Sequence, residues 1–169
     1  VGELYIAEAA MDSDGELPEI LAAAERHGTE VRYVGSGDVS AEYGGISLTL
    51  FAPAEAGDEN ERGIAVLASA GGVDTLIMGD LGMAAERELV EEGKIPDVDI
   101  LAVGHHGSKY STSFELTGAA APETAVISVG YNTYGHPTDE ALARLNLAGA
   151  EIYRTDIDGS ITVRTDIDG

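Results

Sequence analysis

The chain has 169 residues, enough for one domain with a sizeable core, and its 44% hydrophobic content marks it as globular rather than disordered. It carries 31 Asp and Glu against 9 Lys and Arg, a net charge of −22. That charge opposes non-specific nucleic-acid binding, which rests on cations neutralising phosphates, unless divalent metal ions invert it locally. The chain has no cysteine, which excludes disulfides and thiolate zinc sites. No apolar run approaches the roughly 20 residues that span a bilayer. Val1 opens no signal-peptide pattern, so any membrane spans of a larger gene product are expected outside this chain.

In chain order, residues 4–6 predict a short strand and 11–15 an acidic turn. Residues 16–27 predict a helix. Leu17, Ile20, Leu21 and Ala24 recur at helical spacing, Pro18 suits a first turn and Gly28 stops it. His27 sits at the helix end, where a cation is favoured, and reads as structural. Residues 31–34 follow as a strand and 35–38 as a loop. The alternation of residues 46–51 after Gly44-Gly45 predicts a half-buried strand. A polar, acidic loop over 52–63 comes next. Residues 64–67 and 75–78 read as paired strands around Gly71-Gly72. Residues 83–92 predict a helix with Leu89 and Val90 inward and Gly93 past its end. Residues 99–103 predict a buried strand covered on both faces.

Residues 113–121 predict a short helix that Ser111 or Ser113 can cap and Pro122 ends. A strand over 125–129 follows. Residues 138–147 predict a helix with Thr138 as N-cap, Asp139 and Glu140 in its first turn and Gly149 beyond it. Residues 151–155 and 160–165 flank Asp158-Gly159, a hairpin signal. The hexapeptide Arg-Thr-Asp-Ile-Asp-Gly occurs at 154–159 and 164–169, too short for a solenoid and without the other ligands of a calcium loop. Interleaved strands and helices predict an α/β fold with a mixed sheet, as one domain over 1–169.

The chemistry gathers at three predicted strand ends. Val73–Met78 runs into Gly79-Asp80. Asp99–Val103 runs into Gly104-His105-His106-Gly107-Ser108-Lys109 and a hydroxyl tail. Thr124–Val129 runs into Asn132 and His136. Strand ends are where α/β folds build sites. Asp80 reads either as a turn or helix-cap carboxylate or as a hard oxygen ligand. On an extended chain His105 and His106 would point opposite ways, one toward a metal and one toward substrate or packing. As the residue nearer the strand, His105 is the expected ligand. His136 is either a turn residue before Pro137 or a rim residue that contacts a phosphate or donates a proton. Ser108, Lys109, Ser111 and Asn132 are candidates for substrate binding, with ordinary capping as the alternative for the hydroxyls. No Gly-x-Ser-x-Gly surrounds Ser108, which argues against a serine nucleophile.

Four pieces in order carry a resemblance. They are Leu76-Ile-Met-Gly-Asp-Leu81, Asp99-Ile-Leu-Ala-Val-Gly-His-His-Gly-Ser-Lys109, Val126-Ile-Ser-Val-Gly130 through Tyr134-Gly-His-Pro137, and Ala148-Gly-Ala-Glu-Ile-Tyr-Arg-Thr-Asp156. Over about residues 31–163 the chain resembles the metallo-β-lactamase superfamily, in particular the metallo-β-lactamase-like domain of ComEC-type competence proteins. The resemblance implies an αββα sandwich and a metal-dependent phosphodiester hydrolase with two zinc or manganese ions. It implies Asp80 as the bridging ligand, His105 as a ligand of one ion, and His106 and His136 beside them. It also implies DNA as substrate, a membrane-channel portion of the same polypeptide as partner, and the outer face of a bacterial membrane as location.

The family's first metal motif, His-x-His-x-Asp-His, is absent, so the chain is expected to be the C-terminal part of the domain. With its ligand set incomplete, it is expected to be a poor catalyst alone and to expose a sheet edge that invites self-association. The rival readings are a non-catalytic binding or assembly module with a vestigial site, and a stand-alone hydrolase of small esters or lactones.

Overall fold

The structure, a computed structural model, describes residues 1–12, 15–54 and 62–164. The chain begins with a parallel βαβ unit of β1 (Glu3–Ala7), α1 (Leu17–His27) and β2 (Glu30–Val34), with Glu3 opposite Glu30 and Ala7 opposite Val34. Pro18 lies in the first turn of α1, and Gly28 ends it in a left-handed conformation. Among the described residues a second, seven-stranded sheet follows, its spatial order the same as its chain order. It contains β3 (Val39–Tyr43), β4 (Ile46–Phe51), β5 (Ala65–Ala70), β6 (Val73–Ile77), β7 (Ile100–Ala102), β8 (Thr124–Ile127) and β9 (Glu151–Arg154). β3 to β6 are antiparallel, with Gly44-Gly45 turning β3 into β4 and Gly71-Gly72 turning β5 into β6, while much of the connection from β4 to β5 lies outside the described residues. β6 to β9 are parallel. Parallel neighbours need crossovers, and α2 (Met83–Glu91), α3 (Phe114–Ala120) and α4 (Asp139–Ala148) supply them.

The main core lies between the parallel half of the sheet and these three helices. Leu76, Leu101, Ala125 and Ile127 of the sheet meet Leu89, Leu116 and Leu145, all fully buried. On the opposite face the βαβ unit covers the antiparallel half, where Ala7 and Val34 pack with Leu50 and Ala52. The hydroxyl of Tyr43 and that of Tyr5 (2.8 Å) both donate to the Glu3 carboxylate, tying β3 to β1, and Arg32 closes on Glu3 at 2.8 Å. The layers are therefore α/β/β/α, as expected.

Three local expectations fail. The strand β3 went unread because Val39-Ser-Ala-Glu-Tyr43 carries a weak β signal, with alanine at an inward position, and pairs with β4 alone. β7 is covered on one face only. Leu101 is fully buried, but Ile77, Ala102 and Val126 form a register row on the other face, with Ile77 42% exposed. The hairpin around Asp158-Gly159 does not form. Residues 155–158 are instead a helical turn, α5 (Thr155–Asp158), and residues 160–164 are not strand; residue 165 lies outside the described residues. The reason is side-chain competition. Thr155 Oγ1 donates to Val129 O (2.7 Å) and accepts from Val129 N (2.7 Å), while Asp158 accepts from Arg154 N (2.8 Å).

The segment after β7 is gripped from both sides. Glu86 on α2 is fully buried, and its two carboxylate oxygens accept from the amides of Thr112 (2.5 Å) and Ser113 (2.6 Å). Arg144 on α4 donates to the carbonyls of Thr112 (2.6 Å), Ser111 (2.9 Å) and Lys109 (3.2 Å). Burial pushes the Glu86 carboxyl above the ordinary carboxylate range, against the opposing pull of those amides and the Arg144 charge. Replacing Glu86 by Ala strands two buried N–H groups, each worth about 1–3 kcal/mol, so E86A should lose about 2–6 kcal/mol in urea unfolding. Exposed Glu91→Ala on the same helix should stay within about 0.5 kcal/mol. An E86A loss no larger than that of E91A would refute the grip.

Candidate functional site

β6, β7 and β8 are parallel neighbours, so their C-terminal ends open at one edge. Gly79-Asp80 follows β6, the turn Gly104–Gly107 follows β7, and the loop over 128–136 follows β8. The first two ends touch: the His105 amide donates to Gly79 O at 2.8 Å. A Cβ on Gly104 would stand 3.2 Å from both Gly79 O and Met78 Cβ, so a side chain there would force its neighbours to give by a few tenths of an ångström. A Cβ on Gly107, where φ is +79°, would collide with Pro137 at 2.5 Å. Gly107 O in turn accepts from Thr138 N (2.9 Å), which anchors the histidine turn to the N-cap of α4.

His105 and His106 are not extended as expected. Both are left-handed, with φ of 49° and 54°. That conformation costs an L-residue roughly 1–2 kcal/mol, and strain held in place by surrounding structure is a mark of functional sites. The rings still diverge. Half-buried His105 faces His136, with centroids 5.8 Å apart, while exposed His106 sets Nδ1 2.6 Å from Ser128 O. A carbonyl only accepts, so His106 Nδ1 is the donor and Nε2 is left free.

Asp80 is exposed beside this turn. His136 follows in the third loop, its Nδ1 buried without a partner. Burial foremost, then the neighbouring His105 and His106, holds the His136 imidazole below the ordinary 6.5. The strand ends thus bring Asp80, His105, His106 and His136 to one rim.

The four residues expected to bind substrate behave differently. Ser108 and Ser111 are buried. Ser111 donates to Gly104 O (3.1 Å), and Ser108 Oγ accepts from Tyr110 N (3.2 Å), so these hydroxyls shape the loop instead of meeting the rim. Ser113, not Ser111, caps α3 by accepting from Leu116 N. Exposed Lys109 lies over the Tyr110 ring at 5.0 Å. Asn132 spends its whole amide on its own loop. Its Oδ1 accepts from Tyr134 N (3.1 Å) and His136 N (3.0 Å), and its Nδ2 donates to Gly130 O (2.9 Å) and His136 O (2.8 Å). A cleft of about 490 Å³ opens against this loop, lined by His106, Ser128, Tyr131, Asn132, Tyr134 and His136 among others.

Sequence reasoning missed Glu86 and Arg144. The available signal was a charge on each apolar helix face: Glu86 precedes inward Leu89 and Val90 by three and four residues, and Arg144 stands between Ala141 and Leu145.

A carboxylate and imidazoles suit zinc or manganese. Among the described residues, however, no three His, Asp or Glu side chains converge to hold an ion. Asp80 and His105 offer two donors, short of the three or four a zinc site takes.

The architecture overlaps Igni18, described as a novel metallo hydrolase from the hyperthermophilic archaeon Ignicoccus hospitalis KIN4/I. The TM-score is 0.56 at 18% identity, over 98% of this chain and 81% of that one. A helix-flanked mixed sheet with a strand-end aspartate and histidines, laid over that neighbour, defines a protein of the metallo-β-lactamase fold. Within it, the sequence is similar to that of ComEC-type competence proteins. It is 34% identical over 148 residues to competence protein ComA of Neisseria gonorrhoeae and 33% identical over 147 residues to ComE operon protein 3 of Bacillus subtilis (strain 168), in each case over 85% of its length. The chain spans about a fifth of the length of these curated relatives, 20% and 19%. No protein-family model matches it.

The histidine cluster makes a pH prediction. The fold favours neutral His136, so its contribution to stability is fully present above the unfolded value of 6.5 and is lost as pH falls below it through the lower value of the folded chain. Imidazole resonances followed by NMR should show His136 titrating below 6.5, and His105→Ala should move the midpoint upward. A His136 midpoint unmoved by that substitution would mean the two rings do not interact.

Proposed function

We propose that the chain is part of a metal-dependent phosphodiesterase that acts on DNA during uptake. The observation that carries this reading is the placement of Asp80, His105, His106 and His136 just past the ends of three adjacent parallel strands, with the His105 and His136 rings 5.8 Å apart. Asp80 and His105 would hold two divalent ions, zinc or manganese, which supply an activated water when bound. The remaining ligands would be those of the His-x-His-x-Asp-His motif that the resemblance implies and this sequence does not contain. His136, kept neutral, would contact the phosphate by a hydrogen bond, while a role as proton donor would need the charged form that its surroundings oppose, and His106 would offer Nε2 to the cleft. The word competence in the name of the gonococcal relative supports the uptake setting, and the fifth of the relatives' length that the chain spans is consistent with one part of a larger protein. The resemblance adds a membrane-channel portion of the same polypeptide at the outer face of a bacterial membrane. Among the described residues no helix is long and apolar enough to cross a membrane.

The incomplete ligand set favours a second reading, a binding or assembly module whose site is vestigial. Hydrolysis of bis(p-nitrophenyl) phosphate with manganese or zinc separates the two. The chain alone should turn over slowly, and the same domain joined to its upstream motif should be much faster. Asp80→Ala should lower the rate of the longer protein by more than the 10–100-fold typical of outer-shell partners, and EDTA should abolish it. Turnover indifferent to D80A and to EDTA would sink the hydrolase reading. No turnover and no metal uptake in the longer protein would leave the binding module.

A further inference from the structure

The loop between β8 and α4 carries two tyrosines that the site described so far does not use. Tyr131 is 100% exposed and Tyr134 is 82% exposed, and both line the cleft that holds His106 and His136. A single bare tyrosine is ordinary. Two on one short loop, at the mouth of the cleft, are not explained by packing, since neither buries its ring. Nor is the loop free to fold them away. Asn132, between them, uses every donor and acceptor of its amide on Gly130, Tyr134 and His136, which fixes the backbone that carries both rings. The Tyr134 ring lies against the His136 imidazole, with centroids 5.9 Å apart and planes tilted by 23°. The imidazole is a loose, offset neighbour of Tyr134, and at 82% exposure most of the tyrosine ring is left bare.

We propose that Tyr131 and Tyr134 form a stacking platform for an unpaired nucleobase, an inference that rests on the nucleic-acid reading above. The charge makes the case sharper. A chain with a net charge of −22 cannot hold a polyanion by phosphate contacts spread over its surface. Apart from any bound divalent ions, its affinity must come from contacts that do not depend on net charge, and base–aromatic stacking is such a contact, tolerant of sequence because every base has a π-face. A base inside a duplex keeps both faces in its own stack, so a rigid side loop can take only an unpaired one. The cleft of about 490 Å³ has room for a base beside the histidines. The platform thus sets strand type and the placement of the phosphodiester, while the chemistry belongs to the rim.

The test is binding of fluorescently labelled oligonucleotides to the full chain by anisotropy, in EDTA so that no hydrolysis is read. The probes are an oligo-dT, an abasic oligomer of the same length and charge, an oligo-dT duplexed with oligo-dA, and free thymidine monophosphate. Oligo-dT should bind roughly 5- to 100-fold tighter than the abasic strand, and tighter than the duplex or the mononucleotide. Tyr131→Ala and Tyr134→Ala should erase the difference between oligo-dT and abasic strand, and the Phe variants should keep it, with circular dichroism reporting the fold of each. Equal binding of oligo-dT and abasic strand, an Ala variant that binds oligo-dT like the parent chain, duplex binding as tight as single strand, or no detectable binding of oligo-dT would overturn the platform. Because no metal is present, a chain that hydrolyses nothing still gives a clear answer here. A chain that hydrolyses simple diesters can likewise fail this test alone.

Discussion

A buried carboxylate holds the working edge of this molecule in shape. Glu86 is removed from water, which disfavours its charge, yet the Thr112 and Ser113 amides close on both its oxygens. Such a group is stabilising only while every partner stays in place. Arg144 completes the arrangement by taking the carbonyls of the same loop. From there the constraint passes along the chain. The loop fixes Gly107, Gly107 abuts Pro137 and accepts from Thr138, and Thr138 starts α4, which carries Arg144 back into the loop. The histidine turn sits inside this closed circuit, which accounts for its tolerance of two left-handed side chains in succession.

The sheet's change of direction at β6 explains where the rim lies. The antiparallel half serves as a support, covered by the βαβ unit on one face. Only from β6 onward do successive strands end on the same side, so residues far apart in sequence, Asp80 and His136, reach one edge without a long loop. An acidic domain gains from this geometry. A rim of imidazoles and tyrosines can meet a polyanion locally while the rest of the surface, at −22 overall, keeps it from adhering elsewhere.

Much of this was legible in the chain. The strand ends at Asp80, His105 and His136 stood out because a buried apolar run that stops in glycine and a polar side chain is a strong local pattern, and the motif order then pointed to the fold. Thr138 and Gly149 marked α4 by their caps alone. The failures share a cause, since each was decided by a partner distant in sequence. Asp158-Gly159 has the chemistry of a hairpin turn, but the Thr155 hydroxyl bonds to Val129 and redirects the chain. Ser108 and Ser111 read as ligand-binding hydroxyls, and only the fold shows them turned inward. Asn132 does line the cleft, but its four bonds to its own loop, invisible in the sequence, occupy the amide that reads as a substrate contact. Glu86 and Arg144 were visible as misplaced charges on apolar faces, but what they hold is set by the packing of α2, α3 and α4.

The left-handed conformation of the histidine pair also bears on how the site can be lost. Glycine adopts that backbone freely, and asparagine more readily than other side chains, whereas β-branched residues resist it. Removing an imidazole and disturbing the turn are therefore separable events. A drift of His105 or His106 to Asn or Gly deletes the ring at little conformational expense and leaves a sound scaffold. A drift to Val or Ile disrupts the turn itself and, through Gly79 and Thr138, the two elements it joins. Descendants of this fold that abandon chemistry for binding would thus be expected to carry Asn or Gly at these two positions, with the surrounding loop unchanged.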